Sequence, residues 1–331
     1  MVSRNKAREI VEKEIGESLH GFQPSSIGRA HDSFFLDTDS GRYVLKIGKG
    51  EDRFQAEGPA LELLNSETDV SVPSIAGFDN SKSDFDFMYL VMEFVEGENL
   101  DVWESENGAK FSYLSKNRKR NLLRSAGRQL GLLHSQTSFD SFGHFKCEKG
   151  SLEFRQQGSW AETFKKIILE EQASNFPDRF SHLESLIGSF VEESVNDMDS
   201  GDNALVHQDV RWPNIIAGTS SINAVIDWER AISGDPYYDL AKAEQSLLQF
   251  KRPKTRESYR KYFLDGYTDF EDLPDNWEKL RSFYRALRPV EALWTFEGWT
   301  EGMSSDKKEE MALDKEKELK EKVEAFRKDY L

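Results

Sequence analysis

A chain of 331 residues with 44 Lys and Arg against 60 Asp and Glu carries a formal net charge of −16 and a pI near 5.0. That balance argues against a broad phosphate-backbone binder, whose surface is basic, and 23 Phe, 7 Trp and 10 Tyr argue against a disordered acidic chain. One cysteine, Cys147, and no apolar run near the roughly 18 residues of a membrane span predict a cytoplasmic globular protein with no nucleic-acid or membrane partner.

In chain order, residues 1–19 read as a charged amphipathic helix without the apolar core of a signal peptide. Phe34-Phe35-Leu36, the turn residues Asp39-Ser40-Gly41 and then Tyr43-Val44-Leu45-Lys46-Ile47 make a hairpin signature. A helical pattern over 54–64 sets Leu61 and Leu64 on one face, and 75–78 and 87–93 supply further strands. Past Val95-Glu96-Gly97 the character changes to helical patterns at 117–135, 161–173, 183–196, 237–250 and 275–302. The last of these must kink or divide at Pro289. Between 306 and 331, Leu319, Val323, Phe326 and Tyr330 form the stripe of a terminal helix that packs one face on the body. The division predicted is a small β-rich lobe over 1–96, a hinge near 93–97 and a larger helical lobe over 97–331.

A strand-rich island at 204–227 interrupts the helices. It contains Leu205-Val206-His207-Gln208-Asp209-Val210-Arg211-Trp212-Pro213-Asn214-Ile215-Ile216 and Ala224-Val225-Ile226-Asp227-Trp228-Glu229. Apolar residues flank each polar cluster, so two short buried strands would hold Asp209, Asn214 and Asp227 at one edge. Asn214 and Asp227 offer hard oxygen ligands for Mg²⁺. Asp209 is then left to orient and deprotonate a hydroxyl, an effect worth on the order of 10²–10⁴-fold.

His-x-Asp, Asn five residues after that Asp, Ile-Asp-x-Glu, and Gly234-Asp235-Pro236-Tyr237-Tyr238-Asp239-Leu240-Ala241 together resemble the aminoglycoside phosphotransferase superfamily. The resemblance implies an α+β, bilobal protein-kinase-like fold and phosphorylation of a small-molecule hydroxyl by ATP or GTP with Mg²⁺. It implies that Lys46 grips the nucleotide phosphates. Glu57 would hold that lysine, with Glu62 as the competing partner. It sets the adenine edge against backbone groups near Glu93 and Val95, with Met92 lining the base pocket. The catalytic loop would be 207–214 and the metal-binding segment 226–229.

The phosphate-covering turn departs from the family, since Gly28-Arg29-Ala30-His31-Asp32-Ser33 holds one glycine; Gly28 and Ser33 are its candidate phosphate contacts. Gln208 stands where many members have Gly, either altering the loop backbone or reaching toward substrate. His207 reads as a brace of the loop, Asp235 as a helix cap and Asp239 as a tie to the catalytic loop. Arg211 either neutralises charge on the moving phosphoryl group or holds the loop by a salt bridge. Glu229 is read as an aid to a second metal ion or a group near the acceptor. The acceptor is expected to be polar or cationic, since Trp294, Trp299 and Glu297 suit an amine if exposed together. A catalytically silent nucleotide-binding module is the alternative.

Overall fold

The computed structural model describes residues 2–25, 32–48, 54–100, 111, 114–148, 151–154, 158–198, 203–248 and 253–331. Helix α1 (Arg4–Glu14), capped by the Ser3 side chain, precedes strands β1 (Gly21–Pro24), β2 (Asp32–Asp37) and β3 (Arg42–Gly48). Helix α2 (Phe54–Glu67) and strands β4 (Ile75–Asp79) and β5 (Met88–Glu93) follow. The five strands pair antiparallel in the order β1-β2-β3-β5-β4.

Strand alternation decides what each face of this sheet does. Tyr89 and Val91 pack with Leu45, Ile47 and the Ala7, Ile10 and Val11 face of α1. Met88, Leu90 and Met92 face the other way, into the main core with Leu61 and Leu64 of α2. Lys46, between Leu45 and Ile47, therefore points to the α2 side. The hairpin register also sets Ser33 directly opposite Lys46.

Helix α2 carries Pro59 in its interior, and a proline cannot donate to the carbonyl four residues back. That carbonyl belongs to Gln55, and it accepts instead from Asn80 Nδ2 at 2.8 Å. The hydrogen-bond ladder is closed by a side chain from the segment after β4.

Gly97 leads the chain out of the sheet with φ +153°. A Cβ there would meet Ile216 Cγ2 at 2.6 Å and the Ala217 carbonyl at 2.8 Å, so the close approach requires glycine. Strand β6 (Glu98–Asn99) then pairs with β10 (Ile215–Ala217), which also pairs with β11 (Ile222–Val225). A second small sheet holds β7 (Gly143–Glu148), β8 (Ser151–Phe154), β9 (Ala204–Val206) and β12 (Ile232–Gly234).

The helices of this part include α3 (Lys116–Gln136), α4 (Trp160–Lys165), α5 (Glu184–Ser194), α6 (Pro236–Leu247) and α7 (Pro253–Tyr267). The pattern at 161–173 is only partly α-helical: after Lys165 it loosens into a π-helical stretch, Lys166–Gln172. The pattern at 275–302 divides into α8 (Trp277–Ala286), α9 (Arg288–Trp294) and α10 (Phe296–Trp299). The first break falls at Leu287, so Pro289 sits in the first turn of the new helix, where its missing N–H costs nothing. Terminal helix α11 (Ser305–Tyr330) buries Leu319, Val323 and Phe326, whereas Tyr330 is exposed at its end. Strands β7, β8 and β12 and helix α7 are additions to the elements expected from sequence.

Candidate active site

Lys46 reaches into the space between the sheet and the β10–β12 region, where its surroundings are acidic. Its Nζ donates to Glu57 Oε2 at 2.6 Å and to Asp227 Oδ1 at 2.6 Å, and Glu229 Oε2 lies 3.7 Å away. Burial opposes the ammonium charge, but Glu57, Asp227 and Glu229 outweigh it and raise the Lys46 pKa well above its usual value. Glu57 shifts upward, first through burial and then through Asp227 and Glu229, against the pull of Lys46. Glu62, on the next turn of α2, is exposed, so Glu57 is the partner.

Asp209 is built from its own loop. Asn214 Nδ2 donates to the Asp209 carbonyl and to Asp209 Oδ2, both at 3.0 Å, and Arg211 Nε donates to the same Oδ2 at 2.9 Å. The geometry thus gives Arg211 the salt-bridge contact. His207 Nδ1 accepts from the Asp209 N–H at 3.2 Å, which leaves Nε2 as the protonated nitrogen facing the Ile226 carbonyl at 3.0 Å. One imidazole therefore clamps the 207–214 loop to the strand end that presents Asp227.

Asp239 ties the loop from below. Its two oxygens accept from the His207 and Gln208 N–H groups, each at 2.8 Å. Burial acts to raise its pKa, but His134, His207 and these bonds outweigh burial and hold it below the ordinary carboxylate range. His134 Nε2 lies 3.7 Å from Asp239, a distance for charge attraction rather than a hydrogen bond. Asp235 caps α6 by accepting from the Tyr237 and Tyr238 N–H groups.

Gln208 has φ +66° and Asp227 φ +70°, both in the left-handed region. For Gln208 this is a backbone region in which glycine, the residue the resemblance implies there, would meet no steric cost. Its side chain does not reach toward a substrate: Nε2 donates to the Arg230 carbonyl at 2.7 Å, and the Tyr238 hydroxyl approaches Oε1 at 3.5 Å. Two backbone outliers flanking one cleft are the strain expected of a functional site.

Among the described residues, Glu57, Asp227 and Glu229 form the acidic group that fits a cation, their carboxylate oxygens lying within 4.8 Å of one another. A hard oxygen set of this kind suits Mg²⁺. The sequence paired Asp227 with Asn214 for that task; the structure gathers Asp227 with Glu57 and Glu229, and gives the Asn214 amide nitrogen to Asp209.

At the hinge, Met92 is buried in the core and Glu93 is exposed. The Glu93 N–H donates to the Ser74 carbonyl at 2.9 Å, which leaves the Glu93 carbonyl and the Val95 backbone as the groups of that expectation. Val95 follows in the segment between β5 and Gly97 and is half-buried. Ser33 sits on β2 opposite Lys46, while Gly28 lies outside the described residues.

Sequence reasoning missed a second ionic cluster beside the loop. Arg230 Nη1 donates to Glu291 Oε1 at 2.5 Å, Arg288 also pairs with Glu291, and Lys242 Nζ lies 3.4 Å from Glu291 Oε2. Burial opposes the Arg230 charge, but Glu291 and then Asp209 outweigh it and raise its pKa. Asp209 is thus within electrostatic reach. Arg230 was findable as the residue after Asp227-Trp228-Glu229; Glu291 and Arg288, near Pro289, carried no local signal.

A cleft between a sheet lysine held by a helix glutamate and a loop aspartate held by an asparagine is the layout of a protein-kinase-like fold. The sequence profile described as "Phosphotransferase enzyme family" matches residues 21–283, and the chain belongs to that family of small-molecule kinases. No curated protein matches the chain in sequence. Similar solved structures include a candidate fructosamine-3-kinase from Thermobifida fusca (16% identity, 98% of this chain and 100% of that one, TM-score 0.69). A thermostable variant of the aminoglycoside phosphotransferase APH(4)-Ia, solved with ADP and hygromycin B, matches at 16% identity over 98% of this chain and 99% of that one (TM-score 0.61). Macrolide 2'-phosphotransferase MphH from Brachybacterium faecium matches at 16% over 94% and 97% (TM-score 0.59). At these identities the likeness is one of fold. No helix among the described residues is long and apolar enough to cross a membrane.

Proposed function

We propose that this chain transfers the γ-phosphoryl group of ATP, with GTP as the other candidate donor, to a hydroxyl of a small molecule. The observation that carries the reading is the buried Lys46–Glu57 pair reaching Asp227, with Asp209 fixed by Asn214 and Arg211 on the adjoining loop. Lys46 binds the nucleotide phosphates and Glu57 keeps its ammonium from swinging away. Asp227 holds Mg²⁺, with Glu229 or the Asn214 carbonyl oxygen completing the set. Bound there, the metal would neutralise phosphate charge.

Asp209 Oδ2 is occupied by two donors, and Oδ1 is the oxygen assigned to the acceptor hydroxyl. Taking that proton as the oxygen attacks phosphorus is the task of a general base. Arg211 keeps the carboxylate in one orientation, and its charge adjoins the reacting oxygens. Most of the catalysis is positioning and charge neutralisation. A neighbour of the same fold was solved with ADP, which supports a nucleotide as the phosphoryl donor.

Acceptor-dependent ADP formation over a panel of hydroxyl compounds tests this reading. Asp209→Ala should retain ATP binding by calorimetry and lose transfer by about 10²-fold or more. Near-normal turnover of that variant removes Asp209 from the mechanism, and ATP binding with no turnover across the panel favours the silent nucleotide-binding module.

A further inference from the structure

The charges along the cleft are unevenly divided. On the lysine side, Lys46 faces Glu57, Asp227 and Glu229, an excess of two negative charges that suits a divalent cation. Beyond Asp209 the sign reverses. Among the described residues, the ion pairs of Arg211, Arg230, Lys242 and Arg288 run to Asp209 and Glu291, an excess of two positive charges in a protein of net −16. The Tyr238 hydroxyl accepts from Lys242 at 3.3 Å and so joins the same network.

One carboxylate does not need three cations for structural reasons. Holding several cations out of water around a single counter-charge is costly unless another anion arrives. Lys242 is packed away, with 7% of its side chain exposed. Arg230 and Arg288 keep 21% and 26% of their side chains exposed, more than Lys242. Arg230 is the link to the chemistry, since it is within reach of the Asp209 charge and Gln208 donates to its carbonyl. The aromatic and acidic surface that would suit an amine is not assembled here. Trp299 donates to the Ala292 carbonyl and packs on Phe296, while Glu297 points out toward Lys308.

We propose that the phosphate acceptor is an anionic hydroxyl compound, its carboxylate or phosphate group held by Arg230 and Arg288 while its hydroxyl meets Asp209. This rests on the kinase reading and names its substrate class. Arg guanidinium groups match the two oxygens of such an anion in pairs. In the reaction the hydroxyl proton passes to Asp209 and the new O–P bond forms. The bond from the γ-phosphorus to its bridging oxygen breaks with its electron pair, ADP leaves, and the anionic group is unchanged.

The test compares ADP release on matched acceptors that differ in one group. Glucose, glucosamine, glucuronate and glucose 6-phosphate form one set, and glycerol, serinol, glycerate and glycerol 3-phosphate another. An anionic member should exceed its neutral and cationic counterparts in kcat/KM, and the carboxylate and phosphate arms separate the two anion sources. Arg288→Gln should lower kcat/KM for that anion roughly ten-fold through KM, the usual weight of a charge-assisted hydrogen bond. It should lower kcat/KM for the neutral acceptor by a smaller factor than for the anion, with Arg288→Lys recovering part of the difference. Preference for glucosamine or serinol, or anion preference untouched by Arg288→Gln, overturns the proposal while leaving the kinase reading intact. If no acceptor is turned over, the kinase reading falls. Calorimetric binding of glucose 6-phosphate and glucuronate, to the protein and to Arg288→Gln, then decides the anion site: no binding, or binding equal in both, overturns it.

Discussion

Two ionic clusters adjoin the Asp209 loop, and they are near mirror images. In one, a single ammonium, Lys46, is surrounded by Glu57, Asp227 and Glu229. In the other, a single carboxylate, Glu291, is surrounded by Arg230, Lys242 and Arg288. Both place a buried charge among partners that outnumber it, which is a poor way to gain stability alone. The difference lies in where the surplus falls. The first surplus is negative and faces the side where a cation and phosphates would enter. The second is positive and faces the side where the acceptor would enter.

The comparison can be broken most severely at its centre of charge. Lys46→Met removes the cation that three carboxylates share, and it should cost about 3–5 kcal/mol, the usual penalty for orphaning one partner of a buried pair. Chemical denaturation reads that loss. Millimolar Mg²⁺ should then raise the variant's thermal midpoint more than the wild type's, and an equal rise in both proteins would show that the trio does not act as a cation site.

Glu291→Gln is the matching cut on the other side, with an expected loss of about 3 kcal/mol. It also carries a pH signature. Burial acts to raise the Glu291 pKa, but Lys242, Arg230 and Arg288 overcome it and hold the group well below the usual carboxylate range. An unfolded glutamate takes up its proton near pH 4.3, roughly. Around that pH the unfolded state binds more protons than the folded one. The stability from Glu291 is therefore complete above that range and is lost as pH falls through it toward the lower folded value. Denaturation midpoints measured between about pH 3.5 and 6 should fall less steeply with acid in the variant. Parallel curves would mean that Glu291 is not held ionised by its three cations.

The smallest effect belongs to Gln208→Gly. Glycine removes the cost of the left-handed backbone but loses the bond to the Arg230 carbonyl. The two should offset to within about 1 kcal/mol by thermal melting. A loss beyond about 2 kcal/mol would show that the side chain is a main support of Arg230.

What was legible in the sequence was local. The hairpin around Asp39-Ser40-Gly41, the helix at 54–64 and the strand at 87–93 announce themselves by period and turn chemistry, and the structure forms each nearly in place. Asp209, Asn214 and Asp227 were visible because a short loop and hairpin carry them. The Glu291 cluster was hidden because its members come from segments far apart in the chain, Arg230 after β11, Lys242 on α6 and Arg288 and Glu291 on α9, and no spacing between residues 230 and 291 encodes that meeting. The Lys166–Gln172 stretch kept a helical period, and sequence could not tell its π geometry from an ordinary helix.

The proline in α2 has one further consequence. Because the Gln55 carbonyl depends on Asn80 for its hydrogen bond, moving this helix outward would strand a backbone acceptor as well as separate Glu57 from Lys46. The helix is latched to the sheet by its own defect. The Lys46–Glu57 pair is thereby held together by the fold itself.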